Sequence, residues 1–181
     1  METLLEKLLN ALNAFLPKAM AVQHIETTRD DFHPRFEAIS RCYRYTVFTH
    51  PVRHPNRERF AWRMWKEMDF SLLEKASSAF LGTHDLQGFG TPPRPGGITI
   101  RNVFVSKWHQ PSASEYVYDI EANAFLYHMV RRIVQFQVEV ATGKRSAESI
   151  QMYLKEKQPG SFLGLAPPQG LNLLSVQYPE E

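Results

Sequence analysis

The stretch that most constrains this chain is Asn123–Val134, NAFLYHMVRRIV, which follows a strand-like run. Taking about 100° per residue from Phe125, the apolar residues Phe125, Leu126, Met129, Val130, Ile133 and Val134 fill one broad arc. The spacing predicts a core helix that opens at the strand's end, with His128, Arg131 and Arg132 on its solvated side. Arg131, at roughly 240°, falls on the border of the apolar arc beside Tyr127 and Val138. A guanidinium half-buried there wants a carboxylate or a phosphate.

The rest of the chain must supply a core for that helix. With 181 residues, 43% hydrophobic and 22% charged, it is long enough and apolar enough for one well-cored domain, or one plus part of another. No apolar run approaches the roughly 18 residues of a membrane span, and no signal-peptide pattern precedes the first helix. The single cysteine, Cys42, excludes an internal disulfide framework and a cysteine-rich zinc site. The reading is a cytoplasmic protein with no metal site and no membrane partner. Charge is unevenly placed. Residues 29–66 hold nine Lys and Arg against four acids, a local +5 that leaves −3 for the remainder of a chain carrying +2. Eight aromatics are interleaved there, Tyr43, Tyr45, Phe48, Trp62 and Trp65 among them. Cations mixed with flat rings suit a phosphate backbone and stacked bases, although two strands with long charged side chains facing water look the same.

In chain order, Leu4, Leu5, Leu8, Leu12 and Phe15 recur at helical spacing until Pro17. Ala21–Glu26 reads as a short strand and Thr27–Asp31 as a turn. Arg41–Phe48 alternates, with Tyr43, Tyr45 and Val47 on one face and Cys42, Arg44 and Thr46 on the other; Arg59–Trp65 alternates again, as its strand partner. Asp69 is placed to cap a helix over Phe70–Leu81 that Gly82 ends. Gly88–Gly97 is an extended loop without a phosphate-binding glycine pattern. Arg101–Trp108 and Tyr116–Ala122 are strands joined around Pro111–Ser114. Ser146 opens a helix to about Lys157, Pro159–Gly170 is a loop, and Leu171–Tyr178 is a last strand. The order predicts an α+β fold, an antiparallel sheet with helices on one face and the other face open. Tyr43, Tyr45 and the neighbouring arginines on that open face would form an RNA platform, although Tyr45 is more expected in the core.

Several of these stretches together resemble the tRNA pseudouridine synthase A family: DDFHPRF at 30–36, RCYRYTV at 41–47, FLGTHDL at 80–86, NAFLYHMVRRIV at 123–134 and APPQGLNLLSVQYP at 166–179. The resemblance implies a pseudouridine-synthase fold of ferredoxin-like halves, here with the N-terminal half incomplete. Residues 1–35 would be a remnant of that half and 36–181 the C-terminal RNA-binding and catalytic half. It implies a cofactor-free isomerase turning uridines of the tRNA anticodon stem-loop into pseudouridine, as a homodimer or paired with a chain supplying the missing strands. Tyr43 would stack on the target base and handle the proton leaving carbon 5. Arg131 would pair with the nucleophilic aspartate. Both roles are physically sound, since base stacking is worth about 1–3 kcal/mol and a bidentate guanidinium holds a carboxylate ionised. Arg35, Arg41, Arg44, His128 and Arg132 are the candidates for contact with the RNA backbone.

The nucleophile itself is not among these residues. The family's aspartate lies in a GRTD-type motif after a YDG strand, and neither motif occurs. Asp30, Asp31, Asp69, Asp85 and Asp119 all stand in other contexts, Asp85 in a GTHD loop. The chain is thus expected to be a fragment, inactive without the segment carrying that aspartate. The alternatives are a non-catalytic tRNA-binding module or a displaced carboxylate. Arg131 is expected to swing to solvent, find a local acid, or capture an anion, because a buried charge stripped of its partner costs about 3–5 kcal/mol.

Overall fold

The computed structural model describes residues 3–155 and 160–179, in two compact units, 1–37 and 38–181. In the first, α1 (Leu4–Phe15) begins at a capping box. The Thr3 hydroxyl accepts from the Glu6 amide while the Glu6 carboxylate accepts from the Thr3 amide. Residues 21–26 form no strand. A strand requires a ladder partner, and the backbone of Val22 is instead taken by the Asn13 amide, which bonds both its N–H and its carbonyl at 2.8 and 2.9 Å. The DDFH stretch is turns, tied by Arg29 to Asp31 and Glu37.

The second unit is built on β1 (Ser40–Thr49), which pairs with three strands of a six-stranded sheet made with β2 (Trp62–Met64), β3 (Gly82–Asp85), β4 (Ile100–Ser112), β5 (Glu115–Ala122) and β6 (Leu171–Gln177). From β1 the order runs β5, β4, β3, all antiparallel. The other edge of β1 is shared. β6 lies antiparallel along Ser40–Tyr45, with a register shift at Cys42/Tyr43, and β2 lies along Val47–Thr49. β2 is parallel to β1, so the expected antiparallel neighbour is replaced by a crossover through residues 50–61. That crossover explains the basic loop. Arg57 lies 4.3 Å from the centre of the Phe48 ring and pairs with Glu115, while Arg53 and Arg63 converge on Glu58. These arginines fasten the loop to the sheet.

The helices α2 (Phe70–Ser78), α3 (Met129–Ala141) and α4 (Ile150–Lys155) accompany the sheet. Asp69 caps α2 as expected, its carboxylate accepting from the Ser71 and Leu72 amides. The expectation at Ser146 holds in part: its hydroxyl caps a 3-10 turn that leads into α4, and residues 156–159 lie outside the described set. Between helices and sheet sit Tyr45, Trp108, Tyr118, Ile120, Ile133 and Phe136, all essentially inaccessible to water. Several polar groups in this core are paired, although the Gln137 amide nitrogen is buried without a partner among the described residues. The Trp108 indole N–H donates to Gln137, and the Tyr118 hydroxyl bonds Ser106, which donates to the Ser77 carbonyl. Burial pushes the Tyr118 phenol up to about 12. Phe136 meets Phe80, Phe89 and Phe162 edge to face, with ring centres 5.7–6.3 Å apart. It belongs to the core.

The faces of β1 do not carry the expected platform. Tyr45 and Tyr43 point to the helix-covered side, Tyr45 wholly buried. Arg44 points to the other side, where Asp119 takes it at 2.8 Å from each carboxylate oxygen. Strand alternation separates tyrosines from arginine.

Candidate nucleobase pocket

At the end of the sheet where β1 begins and α3 begins, a pocket of about 470 Å³ opens. Its walls are Tyr43, the segment Phe125–Arg131, Pro168 and Leu171. The segment is shaped for this. Asn123–His128 is irregular and α3 starts only at Met129, so the wheel drawn from Phe125 holds for Met129–Val134 and fails before it. The cause lies in the backbone. Tyr127 exchanges two hydrogen bonds with Thr91, at 3.0 and 3.3 Å, and the Asn123 side chain accepts from the Asn102 amide. Those partners replace helical ones. The GFG loop stands directly behind, and a Cβ on Gly90 would come within 2.4 Å of the Leu126 Cβ. Only a residue without a side chain fits there.

His128 closes the segment with φ 64°, the single non-glycine residue in the left-handed region among the described residues. Its ring stacks on Tyr127, centres 3.7 Å apart. Burial, then the nearby Arg131 and Arg132 charges, hold its imidazole below the ordinary histidine range, so it is neutral at pH 7. Strain of this sort gathers at binding sites because the surroundings must enforce it. Across the pocket Tyr43 meets Phe125 edge to face at 4.9 Å.

Arg131 is half-buried, as its place on the arc required. None of the three expected outcomes for it occurs. Its Nε donates to the Ala166 carbonyl at 2.6 Å, and the Ala166 amide donates back to the Arg131 carbonyl. Its partner is therefore main chain, and among the described residues lining the pocket there is no carboxylate. Tyr45 secures the same loop by donating to the Pro167 carbonyl at 2.6 Å. Gly170 lies against the Tyr45 ring, where a Cβ would approach to 2.7 Å. The loop that carries Pro168 into the pocket is thus held by β1 and by α3.

Of the residues singled out in the sequence, Tyr43, His128 and Arg131 are brought together. Arg41 stands beside the pocket segment and donates to the Ala38 and Asn123 carbonyls. Arg44 lies on the opposite sheet face. Arg132 leaves the pocket and rests beside Gly160, its Nε and Nη1 buried without a partner among the described residues. Arg35 belongs to the first unit. Phe125, Tyr127 and Leu171 were missed as pocket residues. The available signal was the crowding of Phe125, Tyr127 and His128 within four positions, which a helix would have spread around its circumference. No three His, Cys, Asp or Glu side chains converge on a metal-sized site among the described residues, and no described helix is long and apolar enough to cross a membrane. The pocket offers flat apolar walls, one guanidinium and the rings of Tyr43, Phe125, Tyr127 and His128, the equipment for a planar base with an anionic neighbour.

Sheet and helices together make a pseudouridine-synthase fold, and the family model described as tRNA pseudouridine synthase matches residues 76–179. The tRNA pseudouridine synthase A of Geobacter sp. (strain M21) is 34% identical over 171 residues, covering 93% of this chain and 68% of its own length. That of Syntrophotalea carbinolica is 36% identical over 171 residues, with 92% and 66% covered. That of Histophilus somni (strain 2336) is 34% identical over 169 residues, with 93% and 62% covered. This chain belongs to the tRNA pseudouridine synthase A family, and it spans about two thirds of the length of these relatives.

Proposed function

We propose that the chain is the base-holding part of a tRNA pseudouridine synthase acting on uridines of the anticodon stem-loop. The observation that carries this is the meeting of Tyr43, His128 and Arg131 in one base-sized pocket whose walls are aromatic. Tyr43, braced edge-on by Phe125, stacks on the flipped uracil and stands where the proton of carbon 5 departs. Arg131, fixed through Nε by the Ala166 carbonyl, turns its remaining nitrogens to the carboxylate of a nucleophilic aspartate that these residues do not supply. That aspartate breaks the bond between sugar and base, and carbon 5 rejoins the sugar after the uracil rotates. The chain alone is inactive in this reading. It works in the cytoplasm, as a homodimer or with a chain that brings the aspartate. Arg35, Arg41 and Arg132 serve the RNA backbone.

The test supplies a family N-terminal segment with its GRTD aspartate, fused or in trans, and measures pseudouridine in an anticodon stem-loop. Product is expected, and Tyr43→Phe or Arg131→Ala should reduce it to background. A correctly folded assembly that makes none would sink the catalytic reading. That no carboxylate lines the pocket among the described residues favours one second reading, a tRNA-binding module without catalysis. It predicts tRNA affinity with a steep salt dependence and no pseudouridine under any complementation.

A further inference from the structure

A second cavity, of about 530 Å³, lies where β2 meets the far end of α3. Trp62, Arg63, Met64, Trp65 and Lys66 line it on one side, and Thr142 and Lys144 on the other. Its sequence sits outside the stretches that mark the pocket.

Trp65 is its centre. The indole is 70% exposed, rare for a side chain of that size with no structural task. It is also held still. The Arg63 guanidinium lies 4.1 Å from the ring centre, and that arginine is only 12% exposed. Its Nε stands 2.9 Å from a Glu58 carboxylate oxygen, and its Nη1 donates to the His50 carbonyl at 3.1 Å. One face of the indole is therefore occupied by a fixed cation while the other faces water. A ring fixed in this way loses little freedom when a second planar group stacks on it. Arg59 lies over the exposed Phe60 ring at 5.9 Å, so arginine–aromatic pairs bracket β2 on both sides.

Charge decides what the planar group belongs to. Lys66 and Lys144 stand exposed at the rim, and among the described residues no carboxylate lines the cavity. An apolar protein partner gains nothing from two ammonium groups that no acid among the described residues pairs with, whereas a nucleic-acid strand presents a base to the indole and phosphates to the lysines. We infer that Trp65, with Lys66 and Lys144, is a stacking platform for an unpaired nucleotide of RNA, separate from the nucleobase pocket. The thirteen residues of α3 separate the two sites by about 20 Å, a distance of a few nucleotides. The inference extends the tRNA reading above by giving the substrate a second point of attachment, and it rests on that reading only for the identity of the RNA.

Titrating the whole chain with an unstructured oligouridylate tests it, read by tryptophan emission and by anisotropy of a labelled strand. Emission should be quenched in the unaltered protein. Trp65→Ala should remove the quench and weaken binding about tenfold, and Trp65→Phe should recover most of the affinity. Replacing Lys66 and Lys144 by Ala should lower the slope of log affinity against log salt by about 1.4. Unchanged affinity in Trp65→Ala overturns the inference, and so does quenching by polyglutamate but not by RNA, which would mark a surface for acidic proteins. Tyr43→Ala separates the two readings. If it abolishes pseudouridine formation and leaves the quench, the platform stands by itself. If complementation never yields product but the quench responds as described, only the catalytic reading falls.

Discussion

On the solvent face of the sheet, Arg44 is held by both oxygens of Asp119, with His109 3.5 Å away, and Arg57 by Glu115. At the rim of the covered face, Arg131 has a backbone carbonyl for a partner and an aromatic pocket beside it. Both regions are rich in arginine, yet only the second leaves guanidinium capacity for something that is not protein. An ion pair already formed in the free molecule must be broken before either partner can serve a ligand, whereas a carbonyl that takes one N–H leaves the charge unneutralised. The count of cations in a segment therefore says less about binding than the count of acids within reach of each.

The contrast can be broken by substitution, and the largest effect is expected behind the pocket. Gly90→Ala drives a methyl into Leu126 and should cost about 1–3 kcal/mol of stability, with loss of tRNA affinity as the pocket wall moves. Chemical unfolding beside a binding titration checks it; a variant of native stability would mean the wall yields freely. Next comes Tyr45→Phe, which deletes the bond to the Pro167 carbonyl and should cost about 1 kcal/mol. Its second signature is faster hydrogen exchange in residues 166–170. On the other face, Arg44→Met should change stability by less than about 1 kcal/mol, as partly exposed ion pairs do, and leave tRNA affinity within twofold. A large loss of affinity there would erase the distinction between the faces.

The smallest effect concerns pH. The His128 imidazole titrates below its unfolded value, so the unfolded chain takes up that proton first as pH falls through about 6.5. Its contribution is therefore neutral above that range and becomes destabilising below it. His128→Gln should flatten the stability profile between pH 7 and 5 relative to the unaltered protein. Parallel profiles would show that the ring is not held in its neutral form.

Much of this was legible in the sequence, and the failures share a cause. Alternation located β1, β4 and β5, and the Asp69 cap located α2, because those signals record which side chains are buried and which amides need a partner. Helical spacing also placed Arg131 correctly on the border of the apolar arc. The same spacing ran on through Phe125–His128, where no helix exists, because periodicity does not record that Thr91 has claimed the backbone of Tyr127. Residues 21–26 failed likewise, through Asn13 and Val22. The parallel placement of β2 depends on where the crossover lands, which no local pattern encodes. The supposed RNA platform on β1 failed because both tyrosines pack on the helix-covered side, while Arg44 on the opposite face is neutralised by Asp119, seventy-five positions away.

The shared edge of β1 has one more consequence. β6 and β2 grip different lengths of the same strand, so each can be peeled away without the other, and only β6 brings residues to the pocket. Fraying at the C-terminal strand is thus a natural reporter of occupancy. Amide protons of residues 171–177 should exchange more slowly when a nucleoside fills the pocket, while those of residues 62–64 keep their own clock.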